Sequence, residues 1–271
     1  MQIFKRILGP IDFEQKSNNA INVAAQIARK TLSKIDLLHV IEIPLVVKNH
    51  VSDHGGKNDA PKSKLASELI EITQKKLEKI KSQYDEQDFE ISIRAKTDTI
   101  PERVAELITQ EDYDLMIIGS DSVQVFYDVV KKTRPERIIE LAKCPVLVIN
   151  EEVELFKTKK VVLPTNLEND ITSVIDQIKR FADYFQTDIE LLYVNSPGNF
   201  KSTEQIQEQY QNFISRHELE GVKFKVYQDH SVKKGIIKYA MTAKADMILL
   251  TSRHSYKPKL RNRVFYCVAI G

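Results

Sequence analysis

The feature that most constrains this chain is that it repeats itself. KRILGPID at 5–12 is matched by KKVVLPTN at 159–166, an offset of 154 residues, and the same offset carries IDLLHV at 35–40 onto IELLYV at 189–194 without a gap. Farther on, DLMIIGS at 114–120 matches DMILLTS at 246–252 at an offset of 132, so the second copy is 22 residues shorter in between. It loses nine more before its last strand, since Gly119 to Cys144 spans 25 positions and Thr251 to Cys267 only 16. A chain of 271 residues suits two ordinary domains. The repeat divides it into a first domain over 1–150 and a shortened, degenerate second domain over 151–271. NEEVELFKT at 150–158 is a short acidic join with no room for a flexible tether.

Within the first copy, short apolar runs alternate with helical patterns. IFKRIL, KIDLLHVI, FEISIRA, DLMIIG and PVLVIN read as strands by length and β-branched content. Residues 16–31 (Ala20, Ile21, Ala24, Ile27, Ala28), 63–81 (Leu65, Leu69, Ile72, Leu77, Ile80) and 101–110 (Val104, Leu107, Ile108) carry apolar positions at helical spacing. Pro101 suits a helix start, where its missing N–H is not needed. A fourth helix is expected over about 134–142, with Pro135 in its first turn. Buried strands separated by helices mean βαβ units, a parallel sheet and right-handed crossovers. The second copy repeats the strands near 159–163, 188–194, 222–227, 246–250 and 264–270. Its fourth helix has nearly vanished, because TSRHSYKPKLRNR is short, basic and broken by Pro258.

Composition removes several function classes. Forty Lys and Arg against 38 Asp and Glu leave a net charge of +2, so charge makes no case for nucleic acid. Two cysteines supply neither a disulfide framework nor a four-cysteine metal site, and the count fits a reducing compartment. MQIFKRILGP lacks the pattern of a signal peptide and no apolar run reaches membrane-spanning length, so a cytoplasmic protein with no membrane partner is expected. Cys144 and Cys267 read as small buried hydrophobes ahead of the final strands. His50, Asp53 and His54 stand at spacings that suit a metal, yet the polar segment from Pro44 to about Lys62 reads better as a solvated loop.

The chain contains no GxxxxGK[ST], GxGxxG, GxSxG, HExxH or CxxC. Only eight glycines are present, so few backbone cradles for phosphate can be built, and only Gly119 directly follows a strand. What remains is the rule that open α/β sheets bind ligands beyond the carboxyl ends of their strands, where the strand order reverses. In the first copy those ends are Gly9-Pro10-Ile11-Asp12, His39-Val40 and Gly119-Ser120-Asp121-Ser122. Asp12 can accept hydrogen bonds from a ribose or a base, and the Val40 backbone can pair with an adenine edge. The competing reading makes Asp12 a turn-former ahead of the first helix and Val40 a core residue.

The runs ILGPID, IDLLHVIE, YDLMIIGS and ERIIELAKCPVLVIN, in that order, resemble the universal stress protein family, and the resemblance spans both copies. It implies two tandem flavodoxin-like (Rossmann-like) doubly wound parallel sheets of order 3-2-1-4-5, their last strands pairing to form an intramolecular pseudo-dimer. Nucleotide-binding members of the family carry, after strand four, Gly, two residues, Gly, nine residues, then Gly-Ser or Gly-Thr. Gly119 matches the first position, with Ser120 after it. Ser122 and Lys132 replace the other two glycines, and Thr133 keeps the hydroxyl. Asp121 adds a negative charge there, while Lys131, Lys132 and Arg134 add positive ones. Lys132 suits a phosphate as a point charge, or else 131–134 is a solvated helix start. The resemblance therefore implies ATP or AMP, with Mg2+ in the case of ATP, held in the first copy by Pro10, Asp12, Val40, Gly119, Ser120, Ser122, Lys132 and Thr133. The second copy departs further, with Asn166 for the Asp and Thr251 for the first Gly. It is expected to hold no nucleotide in the family's manner and to complete the interface. The functional expectation is a stress-response binding module. Its rival is a nucleotide-free scaffold acting through protein partners, alone or as a homodimer. No residue is an evident candidate to position a hydrolytic water, so slow ATP hydrolysis is the weakest of the readings.

Overall fold

The computed structural model describes residues 3–42, 60–98, 112–119, 142–219, 221–251 and 265–269. The metal-spaced trio in 50–54 and the helices expected over 101–110 and 134–142 lie outside them. The first half supplies β1 (Arg6–Pro10), α1 (Gln15–Thr31), β2 (Lys34–Glu42), α2 (Ala60–Lys81), β3 (Ile91–Asp98), β4 (Leu115–Gly119) and β5 (Val146–Ile149). The second supplies β6 (Lys160–Pro164), α3 (Thr172–Phe185), β7 (Asp188–Asn195), α4 (Thr203–His217), β8 (Lys223–Gln228), α5 (Val232–Thr242), β9 (Met247–Thr251) and β10 (Phe265–Ala269). All ten strands join one sheet of order β3-β2-β1-β4-β5-β10-β9-β6-β7-β8. Each half therefore has the 3-2-1-4-5 order that the family resemblance implies.

The helices form where the apolar spacing places them. α1 buries Ala20, Ile21, Ala24, Ile27 and Ala28 against the sheet. α2 follows the expectation only in its second half. Thr73 and Leu77 are buried there, whereas Leu69 and Ile72 are exposed, so the buried stripe runs through 73 and 77 and leaves Ile72 off its face. β4 and β5 are buried along almost their whole length, as suits parallel strands in mid-sheet.

The repeat reaches individual hydrogen bonds. The Ile11 amide donates to the Leu38 carbonyl at 2.9 Å, and 154 residues on Thr165 donates to Leu192 at 2.9 Å. The Ser33 hydroxyl donates to the Phe4 carbonyl at 2.8 Å, as Thr187 does to Thr158 at 2.6 Å. α1 ends with Leu32 at φ 56° and α3 with Gln186 at φ 54°, so in this glycine-poor chain ordinary residues take the left-handed cap that glycine usually fills. Beneath β2 the buried Asp36 pairs with Arg6 and with Arg94 at 3.2 Å. At the matching place in β7, buried Glu190 pairs with Lys160 at 3.0 Å. Burial pushes the Asp36 carboxyl up, but hydrogen bonds from Ser92, Arg6 and Tyr113 outweigh it and hold the group below the ordinary carboxylate value.

One strand departs from the expected all-parallel arrangement. β10 lies parallel to β5 but antiparallel to β9. A parallel return needs a crossover of a dozen or more residues, usually a helix. The 13 residues between Thr251 and Phe265 carry no apolar helical pattern that could build one. The reversal directs the strands of the two halves in opposite senses. α1 and α3 meet across the joint, where the Tyr184 hydroxyl donates to the Lys30 carbonyl at 2.8 Å and Lys30 Nζ lies 4.9 Å from the Phe185 ring centre. The acidic join is held down by Gln26, whose Oε1 accepts from the Phe156 amide at 2.7 Å. Side chains from both halves form one apolar cluster.

Two aspartates clamp the amino ends of β1 and β6. Asp114 Oδ2 accepts from the Lys5 and Arg6 amides at 2.8 and 2.9 Å, whereas among the described residues Asp246 Oδ2 accepts from the Lys160 amide alone, at 2.8 Å. Hydrogen bonds to a charged partner contribute about 1.5–3 kcal/mol each. Asp114→Ala should therefore lower the unfolding free energy measured in urea by about 3 kcal/mol, and Asp246→Ala by roughly half of that.

Candidate binding crevice

A doubly wound sheet splays where chain connections leave a strand in opposite directions. In the first half this is the carboxyl end of β1, flanked by β2 and β4. Pro10 closes β1 and is half-buried. The next residues form a tight loop in which Asp12 Oδ1 accepts from the Glu14 amide at 2.9 Å and Phe13 sits at φ 67°. Asp12 is exposed, and its other carboxylate oxygen makes no hydrogen bond among the described residues. The turn-forming reading of Asp12 holds, and its second oxygen is left without a partner among the described residues. Val40, on β2, is half-buried against the cluster of Leu8, Met116 and Val148, with its backbone paired to β3 at Lys96. Its side chain packs on the edge of the core and is not one of the buried core residues.

Gly119 ends β4 directly beneath the first turn of α1. A Cβ at that position would lie 2.2 Å from the Lys16 carbonyl oxygen and 2.6 Å from the Ser17 nitrogen, so no larger residue fits without moving the helix. The glycine brings the α1 amino terminus onto the crevice. That first turn contains no acidic side chain, and Glu14, at its cap, makes no side-chain cap. The positive end of the helix dipole therefore lies at this side of the sheet with no carboxylate in the first turn to neutralise it. Ser120, Ser122, Lys132 and Thr133 lie outside the described residues. Pro10, Asp12 and Gly119 converge here, and Val40 contributes the adjoining wall.

Sequence reasoning singles out neither Phe13 nor Lys76, and His39 only as part of a strand end. His39 Nδ1 hydrogen-bonds the Ile11 carbonyl at 2.7 Å, its ring lies 4.6 Å from that of Phe13, and Lys76 of α2 stands 5.4 Å over the Phe13 ring. Together they brace the loop that carries Asp12. His39 adjoins Val40 in the sequence, but nothing in a linear reading connects Lys76 to residue 13.

The second half repeats the loop with altered chemistry. Asn166 Oδ1 accepts from the Glu168 and Asn169 amides at 3.1 and 3.0 Å, and Leu167 takes φ 63°. Thr251 stands at the place of Gly119. α3 begins at Thr172, three residues later than α1 after the 154-residue offset, and Asp170 Oδ1 accepts from the Thr172 amide at 2.9 Å. The helix start already holds a carboxylate. Among the described residues no group of three or more His, Cys, Asp or Glu could hold a metal, and no helix is long and apolar enough to cross a membrane.

Cys144, ahead of β5, is buried beside Met116 and Val146, as expected for a small hydrophobe. Burial pushes its thiol from the ordinary 9.0 up to about 12. Between those values the unfolded thiol ionises and the folded one does not, so its stabilising contribution is complete below pH 9 and is lost as pH rises toward 12. Across that window, urea titrations should show a steeper alkaline loss of stability for the native chain than for Cys144→Ala. A second variant addresses the crevice. Gly119→Ala must displace α1, and we expect it to cost about 3 kcal/mol or more in the same titration at neutral pH.

The model of the universal stress protein family matches residues 3–150. Among curated proteins, Universal stress protein MJ0577 of Methanocaldococcus jannaschii is 22% identical over 157 residues, covering 55% of this chain and 97% of that protein. The crystal structure of a universal stress protein from Archaeoglobus fulgidus superposes with a TM-score of 0.63 at 14% identity, over 97% of this chain and 98% of the other. A functionally unknown protein of Pseudomonas aeruginosa superposes at 0.56 and 14% identity, over 99% and 94%. The whole-length superpositions agree on the fold, and the family model covers more than half of the chain: it belongs to the universal stress protein family.

Proposed function

We propose that this chain is a tandem universal stress protein, with domains at 1–150 and 151–271, whose first domain is a cytoplasmic nucleotide-binding module. The ligand is ATP or AMP. The observation that carries this reading is the exposed carboxylate of Asp12, which keeps one oxygen without a partner among the described residues, set at the switch point of the sheet beside the acid-free first turn of α1 that Gly119 admits. A ribose hydroxyl donates to the carboxylate, and phosphate oxygens accept from the helix amino terminus. Ser120, Ser122, Lys132 and Thr133 complete the phosphate end, with Lys132 replacing lost backbone donors by its charge. Mg2+ accompanies ATP through its phosphates. The module binds, and slow hydrolysis is not needed to explain any of its residues.

A second reading has its own observation. Two of the three glycines expected of a nucleotide loop are Ser122 and Lys132 here, and Asp121 brings a negative charge to the phosphate end. These favour a scaffold that works through protein partners.

Calorimetric titration with ATP and AMP, with and without magnesium, separates the two. We expect one nucleotide per chain with a Kd in the micromolar range. Asp12→Asn keeps the turn, as Asn166 does in the second half, but presents N–H groups instead of an anionic acceptor. It should weaken binding roughly tenfold. Absence of heat at millimolar ligand would leave the scaffold as the function.

A further inference from the structure

The sheet ends on β3 at one side and on β8 at the other, and each of these strands pairs with a single neighbour. An edge strand leaves a row of backbone N–H and C=O groups without a strand partner, which proteins commonly cover, shorten or guard with charge. The two edges are not alike. On β3, Ile91 is buried, and Ser92 and Arg94 turn onto the buried Asp36. On β8 no residue is buried: Lys223, Lys225, Val226 and Gln228 are exposed, and Phe224 and Tyr227 are half-buried.

Alternation along β8 sorts its side chains by chemistry. Phe224 and Val226 share the face on which α4 packs, where the Phe224 ring stacks on Tyr210 with centres 4.2 Å apart and Val226 is 44% exposed. Lys223, Lys225 and Tyr227 share the face of α5, where the Tyr227 and Tyr239 rings lie 5.6 Å apart. Lys223 meets Asp188 at 3.4 Å in a solvent-exposed pair, an arrangement that holds a side chain only weakly. Lys225 makes no ion pair or hydrogen bond among the described residues. One side of the edge thus offers apolar surface and the other a row of cations, with backbone between them.

We propose that the outer edge of β8 docks an extended segment of a protein partner in which acidic and apolar residues alternate. The segment adds one more strand to the sheet: main-chain hydrogen bonds supply attachment, and alternate side chains supply selection. Its acidic side chains lie across from Lys223 and Lys225 and its apolar ones beside Phe224 and Val226, the pairings that cross-strand contacts favour. A second copy of this chain is the poorer occupant. Two β8 strands joined about a two-fold axis normal to the sheet place both lysine rows on one face, where like charges repel. The edge lies at the opposite end of the sheet from β1 to β5, so docking there does not depend on nucleotide binding in the first half.

The test is an NMR titration of the full chain with two synthetic peptides, acetyl-EVEVEV-amide and acetyl-KVKVKV-amide. We expect the acidic peptide to shift the amide signals of residues 223–228 saturably, with a Kd of about 1 mM, and the basic one to bind at least roughly tenfold more weakly. Lys225→Glu should weaken the acidic peptide about tenfold. Lys223→Glu combined with Lys225→Glu should make the basic peptide the better ligand. Both positions are exposed, so the core is untouched, and unshifted signals from β6 and β7 report that the fold is kept. Equal binding of the two peptides, unchanged affinity in Lys225→Glu, or no saturable shift at about 10 mM peptide would each overturn the assignment. Shifts of the same signals with protein concentration, in the absence of peptide, would give the edge to a second copy and overturn it as well.

Discussion

The structure depends on the pairing of β10 with β5 on one side and β9 on the other. Without it there would be two four- or five-stranded sheets, each with an exposed middle edge. A row of unpaired backbone groups at such an edge invites non-specific pairing. With it, the ladder runs unbroken through ten strands and the core is continuous across the joint. Because the direction reverses between β10 and β9, the carboxyl ends of the two halves open at opposite edges of the sheet. The two crevices are therefore separate, and each answers to its own lining residues.

Separation of that kind permits divergence. In both halves the loop after the first strand keeps its geometry, with a side-chain oxygen accepting a backbone amide and a non-glycine residue at positive φ. The backbone design is shared while the exposed chemistry is not. Asp12 presents a carboxylate beside an acid-free helix start, whereas Asn166 presents an amide near a helix whose first amide, that of Thr172, already donates to Asp170. Gly119 lets the helix rest on the strand end, whereas Thr251 at the matching place lines a cavity.

The ionic groups beneath the sheet serve the fold. Asp36 and Glu190 are buried acids, each with a basic partner at the matching place on the neighbouring strand. Removing one partner of such a pair leaves a charge buried without compensation, which is costly even where the pair itself adds little. The arrangement thus favours the native register of β1 against β2 and of β6 against β7 over a slipped one, because a one-residue slip would turn each acid to the other face.

Much of this was legible in the residues. The matched blocks at offsets of 154 and 132 specify two copies of one βα unit, because a strand buried on both faces and a helix with one apolar stripe have few other ways to pack. Asp12 and Gly119 stand out because they directly follow strands one and four. The direction of β10 was not legible. A five-residue apolar strand reads the same either way along, and only the space and pairing partners at the middle of the sheet select between the two. The bracing of the Asp12 loop by His39 and Lys76, and the cavity beneath Thr251, were equally hidden, since they arise where helices from distant parts of the chain come to rest. The sequence by itself determined the repeat, the βα units and the two residues that mark the crevice, because these follow from local periodicity and backbone sterics. How the halves join, which oxygen of Asp12 the turn uses and where space is left emerge only in the folded chain, because those depend on the distance between surfaces that no linear pattern encodes.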